Sequence, residues 1–114
     1  MVDKVIETNI VKVIGKVKTE MKFSHEMYGE GFYSFELEVP RLSDFADVLP
    51  ITISERLFVN MDFSVGTYVV IDGQLRSYNR YINNSNKLML TIFARDIYIP
   101  QEDEMEELMK KPNE

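Results

Sequence analysis

The sequence predicts an all-β fold, a five-stranded Greek-key barrel with one short helical segment between strands 3 and 4. Three observations predict it. Apolar residues alternate with period two in five separate runs, the signature of half-buried strands. Polar or glycine- and proline-punctuated segments separate the runs. Two glycines, Gly15 and Gly73, fall in the middle of strand-like runs, where a small barrel must curl its long strands.

The first run is Asn9 to Lys18, with Val11, Val13, Gly15 and Val17 on one face and Ile10, Lys12, Ile14, Lys16 and Lys18 on the other. Gly15 predicts a bulge or sharp bend. Residues Ser24 to Gly31 read as a loop. Phe32 to Val39 alternates again, Tyr33, Phe35, Leu37 and Val39 inward and Phe32, Ser34, Glu36 and Glu38 outward, and Pro40 ends it. Asp47 to Ser54 is the third strand, with Leu49, Ile51 and Ile53 inward; Pro50 within it predicts an edge or an irregular start. Glu55 to Ser64 has room for one or two helical turns around Leu57 and Phe58. Tyr68 to Tyr78 is the fourth strand, with Val69, Ile71, Gly73 and Leu75 inward and Gln74, Arg76 and Tyr78 outward. Asn79 to Asn86 reads as a polar hairpin loop. Lys87 to Ile99 is the fifth strand, with Leu88, Leu90, Ile92 and Ala94 inward, and Pro100 stops it. A last segment, Glu102 to Lys110, suits a short helix with Met105, Leu108 and Met109 at helical spacing. Five strands with this connection match the OB-fold; spacing alone does not separate it from an SH3-like barrel.

Composition narrows the function. The 114 residues suit one domain. Without Cys there is no disulfide, thiolate nucleophile or Cys-based zinc site. The lone His25, in a polar stretch, reads as a surface residue. No run of apolar residues is long enough to span a membrane, and no signal-peptide core opens the chain, so the cytosol is the expected compartment. P-loop and Rossmann glycine patterns are absent. No nucleophile, base or metal constellation stands out, so no enzyme and no cofactor is expected.

The formal net charge of -6 argues, at first sight, against a nucleic-acid partner. It is unevenly spread. Residues 101–114 hold six acids against two bases, a net of -4, whereas residues 1–100 hold 13 acids and 11 bases, a net of -2. The expected organisation is therefore a domain over residues 1–100 and an acidic C-terminal tail over 101–114. The nearly neutral body carries basic residues interleaved with aromatics: Lys12, Lys16, Lys18 and Lys22 on and after the first strand; Tyr28 and Phe32; Arg76, Tyr78, Arg80 and Tyr81 on the fourth strand and its hairpin; then Lys87 and Phe93. Single-stranded nucleic acid needs cations along its phosphates and flat faces for its bases, and this set supplies both. The outward Glu36 and Glu38 dilute the positive field.

The same residues resemble the bacterial single-stranded DNA-binding protein family. Asn9-Ile10-Val11-Lys12-Val13-Ile14-Gly15-Lys16-Val17 is similar to that family's first strand, Asn-x-Val-x-Leu-x-Gly-Arg-Leu, with Lys16 for Arg. Phe35-x-Leu37-x-Val39-x-Arg41 resembles its second strand, and Asp47-Val48-Leu49-Pro50-Ile51 followed by Leu57 its third strand and helix start. Gly73-Gln74-Leu75-Arg76-Ser77 resembles the family's Gly-Arg-Leu-Arg-Thr, and Leu90-x-Ile92-Phe93-Ala94-x-x-Ile97 its last strand. The resemblance covers residues 9–99.

It implies an OB-fold that binds single-stranded DNA non-specifically in replication, recombination and repair, as a homo-oligomer, dimer or tetramer. It implies phosphate contacts at Lys12, Lys16 and Arg76, and a DNA-facing aromatic region at Tyr78, Arg80 and Tyr81. Where the family's third strand presents aromatics, this chain has Val48 and Ser54. The family's long linker and acidic partner-recruiting tip have no counterpart in residues 100–114, so the expectation is a short form of that family. A short tailless OB-fold also resembles primosomal replication protein N, which implies the alternative of a protein–protein interaction module of a replication-restart or mobile-element complex, with replication proteins as partners and weak DNA binding.

Overall fold

A computed structural model describes residues 6–62 and 64–108, Leu108 by its backbone alone. The described elements are β1 (Val11–Val17), β2 (Lys22–Met27), β3 (Glu30–Pro40), β4 (Ala46–Ser54), α1 (Glu55–Phe58), β5 (Tyr68–Ile82), β6 (Ser85–Tyr98) and α2 (Glu102–Leu108). Five strands close a ring: β1 pairs with β5, β5 with β6, β6 with β4, β4 with β3, and β3 returns to β1. All pairs are antiparallel except β4–β6. This is the expected OB-type barrel, with α1 as a single turn between β4 and β5.

The core is the inward set that alternation predicts. Phe35, Leu37, Ile51, Ile53, Val69, Ile71, Ile92 and Ala94 are buried together with Val17 and Ile97. Leu57 and Phe58 of α1 pack against them. Ala94 and Ile97 both reach the core although they are three apart. The reason is a bulge: Asp72 opposes Asp96 and Gly73 opposes Ala94, which leaves Arg95 as an extra residue in β6 and shifts the side-chain alternation.

Both mid-strand glycines are sites of close backbone approach. A Cβ at Gly73 would lie 2.3 Å from the Phe93 carbonyl oxygen, and one at Gly15 would lie 2.4 Å from that of Glu38. The bulge expected at Gly15 lies instead beside Gly73. Gly15 lies in an unbroken ladder, where β1 is in contact with β3 as well as β5 and the ring closes.

Pro50 is accommodated without a lost bond to β3. It opposes Glu36, whose N–H donates to Thr19 Oγ1 at 2.8 Å and whose carbonyl accepts from Lys18 N–H at 2.9 Å, both on the side away from β4. On the other side the parallel ladder to β6 is confined to Ile51 and Thr52. The proline therefore sits where β4 presents an edge toward β6, one of the two outcomes predicted; the strand itself starts earlier, at Ala46, in unbroken register with β3.

Three expectations are corrected. The segment read as a loop from Ser24 to Gly31 begins inside an added edge strand, β2, which pairs only with β3 and is exposed throughout. With neither face buried, nothing imposes the alternation that would have revealed it. The segment read as a polar loop from Asn79 to Asn86 is a continuation of the β5–β6 ladder, paired to Ile82–Ser85. Only Asn83 and Asn84 turn, at φ 50° and 65°, the left-handed pair that a two-residue hairpin demands. Leu75, Leu88 and Leu90, expected inward, are exposed. They point to the inward face, but β1 accompanies β5 only to Gly73 and β4 leaves β6 at Phe93, so no opposite wall covers them.

The result is a two-stranded ribbon projecting from the barrel. Among the described residues, β5 has β6 as its sole ladder partner from Arg76 to Ile82. At about 3.4 Å per residue that is roughly 24 Å of ribbon. The C-terminal helix α2 is tied back by Tyr98 Oη, which donates to Glu104 at 3.2 Å. Met109, expected on this helix, lies outside the described residues.

Candidate nucleic-acid interface

Ladder register sorts the side chains of the ribbon. In an antiparallel pair, directly opposed residues share a face and successive residues alternate. One face carries the pairs Gln74–Phe93, Arg76–Thr91, Tyr78–Met89 and Arg80–Lys87. The other carries Leu75–Ile92, Ser77–Leu90, Asn79–Leu88 and Tyr81–Asn86. The first is a continuation of the barrel's outer surface and is cationic and aromatic. The second has no charge. Arg76, Tyr78, Arg80, Lys87 and Phe93 thus come together, as the sequence suggested, and Tyr81 does not: it lies on the opposite face.

The outer face leads into a groove of about 390 Å³ beside β2. The edge strand β2 contributes Ser24 and His25, and β3 contributes Ser34; the ribbon contributes Arg76, Ser77 and Tyr78; Thr52, Thr91 and Phe93 lie between them. Four flat groups form a row across it. The His25 ring stacks on Phe32 with centroids 5.0 Å apart and planes 13° apart. Phe32 meets Phe93 at 5.7 Å. The Arg76 guanidinium sits 3.8 Å from the Phe93 ring centroid, a cation–π contact. Arg76 also donates to Gln74 Oε1 at 3.1 Å, which fixes the guanidinium plane.

Phe32 therefore has the predicted outward direction but not the predicted exposure. It is only 8% exposed because His25 and Phe93 cover it. His25 is exposed, as read from the sequence, and its ring in addition stacks on Phe32 in the groove. Its signal was hidden because β2 was read as loop. Lys22 opposes Ser34 on the groove side of the sheet. Tyr28 stands fully exposed at the tip of the β2–β3 turn with φ 53°.

Lys12, Lys16 and Lys18 lie elsewhere. Lys12 opposes Asp72, which opposes Asp96. Lys16 opposes Glu38 on β3 and Tyr68 on β5. Lys18 follows β1, its N–H bonded to the Glu36 carbonyl. By contrast, the segment from Gln74 to Arg95 contains Arg76, Arg80, Lys87 and Arg95 and no Asp or Glu at all. That acid-free stretch was readable in the sequence. Of its four cations only Arg95 forms an ion pair among the described residues, with Glu7. The other described ion pairs, Arg41–Asp47 and Arg56–Glu30, lie away from the ribbon.

Asp47's carboxyl is held below the usual range chiefly by its hydrogen bonds from Arg41. Glu30's is lowered chiefly by the Ser54 hydroxyl, then by Arg56. Both tie strand ends together and neither faces the groove. Among the described residues, no cluster of three or more His, Asp or Glu gathers to hold a metal ion.

Comparison with known proteins gives no matching family model and no matching curated protein. Solved structures do match. The dimeric N-terminal domain of PriB from Thermoanaerobacter tencongensis is 58% identical, with a TM-score of 0.73 over 84% of this chain and 100% of that one. The small single-stranded DNA-binding protein of Streptomyces coelicolor is 19% identical, with a TM-score of 0.64 over 83% of this chain and 96% of that one. The Plasmodium falciparum SSB in complex with single-stranded DNA is also 19% identical, with a TM-score of 0.65 over 86% and 96%. At that identity the last two speak for the fold.

Proposed function

The chain belongs to the PriB family of OB-fold proteins, and from that premise we propose that it binds single-stranded DNA without sequence specificity in replication, recombination and repair. The observation that carries this reading is the acid-free outer face of the β5–β6 ribbon, where Arg76, Arg80 and Lys87 flank Tyr78, with Phe93 at its barrel end. Arg76, Arg80, Lys87 and, across the groove, Lys22 neutralise phosphates. Tyr78, Phe93 with its Arg76 cover, and His25 supply flat faces, each worth about 1–3 kcal/mol per stacked base. Phe32 supports His25 and Phe93 from beneath. Tyr28 is a further exposed ring at the groove's edge strands. Lys12, Lys16 and Lys18 stand near acids that offset their field, so this reading places them outside the main strip.

We read the protein as a homodimer, since its 58% identical relative is described as dimeric, and as a binding protein of the cytosol without catalytic activity or cofactor. No helix among the described residues is long and apolar enough to cross a membrane. The acidic segment 101–114 is a tail distinct from the DNA-binding domain 1–100. The test is fluorescence anisotropy on a labelled poly-dT oligonucleotide at rising salt. Four neutralised phosphates give a slope of log K on log salt near -2.8, at about 0.7 per phosphate for single strands. No binding by micromolar protein at low salt would overturn the reading.

A second reading, an interaction module in replication restart that recruits replication proteins and binds DNA weakly, is favoured by Glu36 and Glu38 on the outer surface and by Val48 and Ser54 on the third barrel strand. Recovery of a replication protein in a pull-down, together with no oligonucleotide binding, selects it.

A further inference from the structure

The floor of the groove has a fixed hydrogen-bond polarity, and its origin lies in Pro50. The Pro50 carbonyl accepts from the Thr91 hydroxyl at 3.2 Å. A carbonyl oxygen only accepts, so the single Thr91 proton is spent there. Thr91 Oγ1 also lies 2.8 Å from Thr52 Oγ1. Thr52 must then be the donor in that bond. Thr91 is buried, Thr52 half-buried, and both line the groove. With its own proton committed inward, Thr52 Oγ1 has only lone pairs left to offer outward.

Resting on the single-stranded DNA reading above, we propose that this groove is a base-edge pocket, in which Thr52 Oγ1 accepts the Watson–Crick-edge N–H of an unpaired nucleobase. The exposed His25 ring, covered by Phe32 on one face, offers its other face to the base. All four bases carry an N–H donor on that edge: N3–H in thymine, N4 in cytosine, N6 in adenine, N1 in guanine. The pocket therefore tolerates every sequence. What it rejects is a base whose edge is already engaged by a complementary strand. An acceptor-only floor thus selects for the unpaired state itself, which charge and stacking platforms alone do not.

The test uses two labelled probes of equal length, oligo-dT and an oligo-dT methylated at N3 throughout, which keeps the ring and phosphates but has no N–H to donate. Wild-type protein is expected to bind the methylated probe about two- to tenfold more weakly, the range of one net hydrogen bond. Thr52→Val, which keeps the side-chain shape, is expected to bind both probes within about twofold of each other. Thr52→Ser, which keeps the hydroxyl, is expected to discriminate as wild type does, and stands as the second variant if valine disturbs folding. Equal binding of both probes by the wild type, or undiminished discrimination by Thr52→Val, overturns the pocket while leaving DNA binding intact. Binding of neither probe at low salt overturns the functional reading and the pocket with it.

Discussion

Replacing Arg80 and Lys87 together by glutamine should weaken DNA binding and leave the protein no less stable. The two face each other directly across the ribbon, outside the barrel and on its acid-free outer face. If each neutralises one phosphate, the double variant loses about 1.4 from the salt slope at roughly 0.7 per contact. At about 0.1 M salt that corresponds to roughly 25-fold in affinity, and near 1 M the loss vanishes. Stability moves the other way. Like charges opposed across strands are destabilising, with cross-strand pair effects of about 0.2–1 kcal/mol, so their removal relieves the ribbon. Anisotropy titrations across that salt range, with thermal melts of both proteins, read the two effects separately. An unchanged slope, or a loss of affinity that persists undiminished at high salt, would refute the electrostatic role given to this pair.

Two further predictions concern the scaffold. Gly73→Ala sets a Cβ 2.3 Å from the Phe93 carbonyl oxygen, and backbone cannot step aside cheaply; the melt should show a loss of about 1–3 kcal/mol, and an unchanged melting temperature would show that the bulge relaxes freely. Asp47→Asn removes a carboxyl whose folded value is held below its ordinary range by Arg41. A depressed carboxyl contributes stability above its ordinary range and loses it as pH falls through the folded value. The variant should therefore show a flatter acid limb in a plot of melting temperature against pH, and an unchanged limb would contradict the pairing.

The barrel was legible in the sequence because its strands are half-buried. Phe35, Leu37, Ile51, Ile53, Val69 and Ile71 alternate since one face of each strand meets a core. Where that constraint ends, legibility ends. β2 has both faces exposed, so Lys22 to Met27 shows no period. Leu75, Leu88 and Leu90 kept the period, but they lie past the last wall of the barrel, which alternation does not report. The candidate site was half legible. Its cations and aromatics were visible as residue types, and the acid-free run from Gln74 to Arg95 was there to be counted. Their division between two faces is not legible, because the polar run Asn79 to Asn86 reads as a loop and a loop assigns Tyr81 no face. His25 and the Thr52–Thr91 relay depend on tertiary contacts between strands far apart in sequence, which spacing does not carry.

Tyr78 and Tyr81 together test whether DNA lies on one face of the ribbon. They are three residues apart, the same type, both exposed, and on opposite faces. In salt-controlled anisotropy titrations on oligo-dT, Tyr78→Ala should cost about 1–3 kcal/mol with the salt slope unchanged, while Tyr81→Ala should bind as wild type does. An equal loss at both positions, or a loss at Tyr81 alone, would contradict the account.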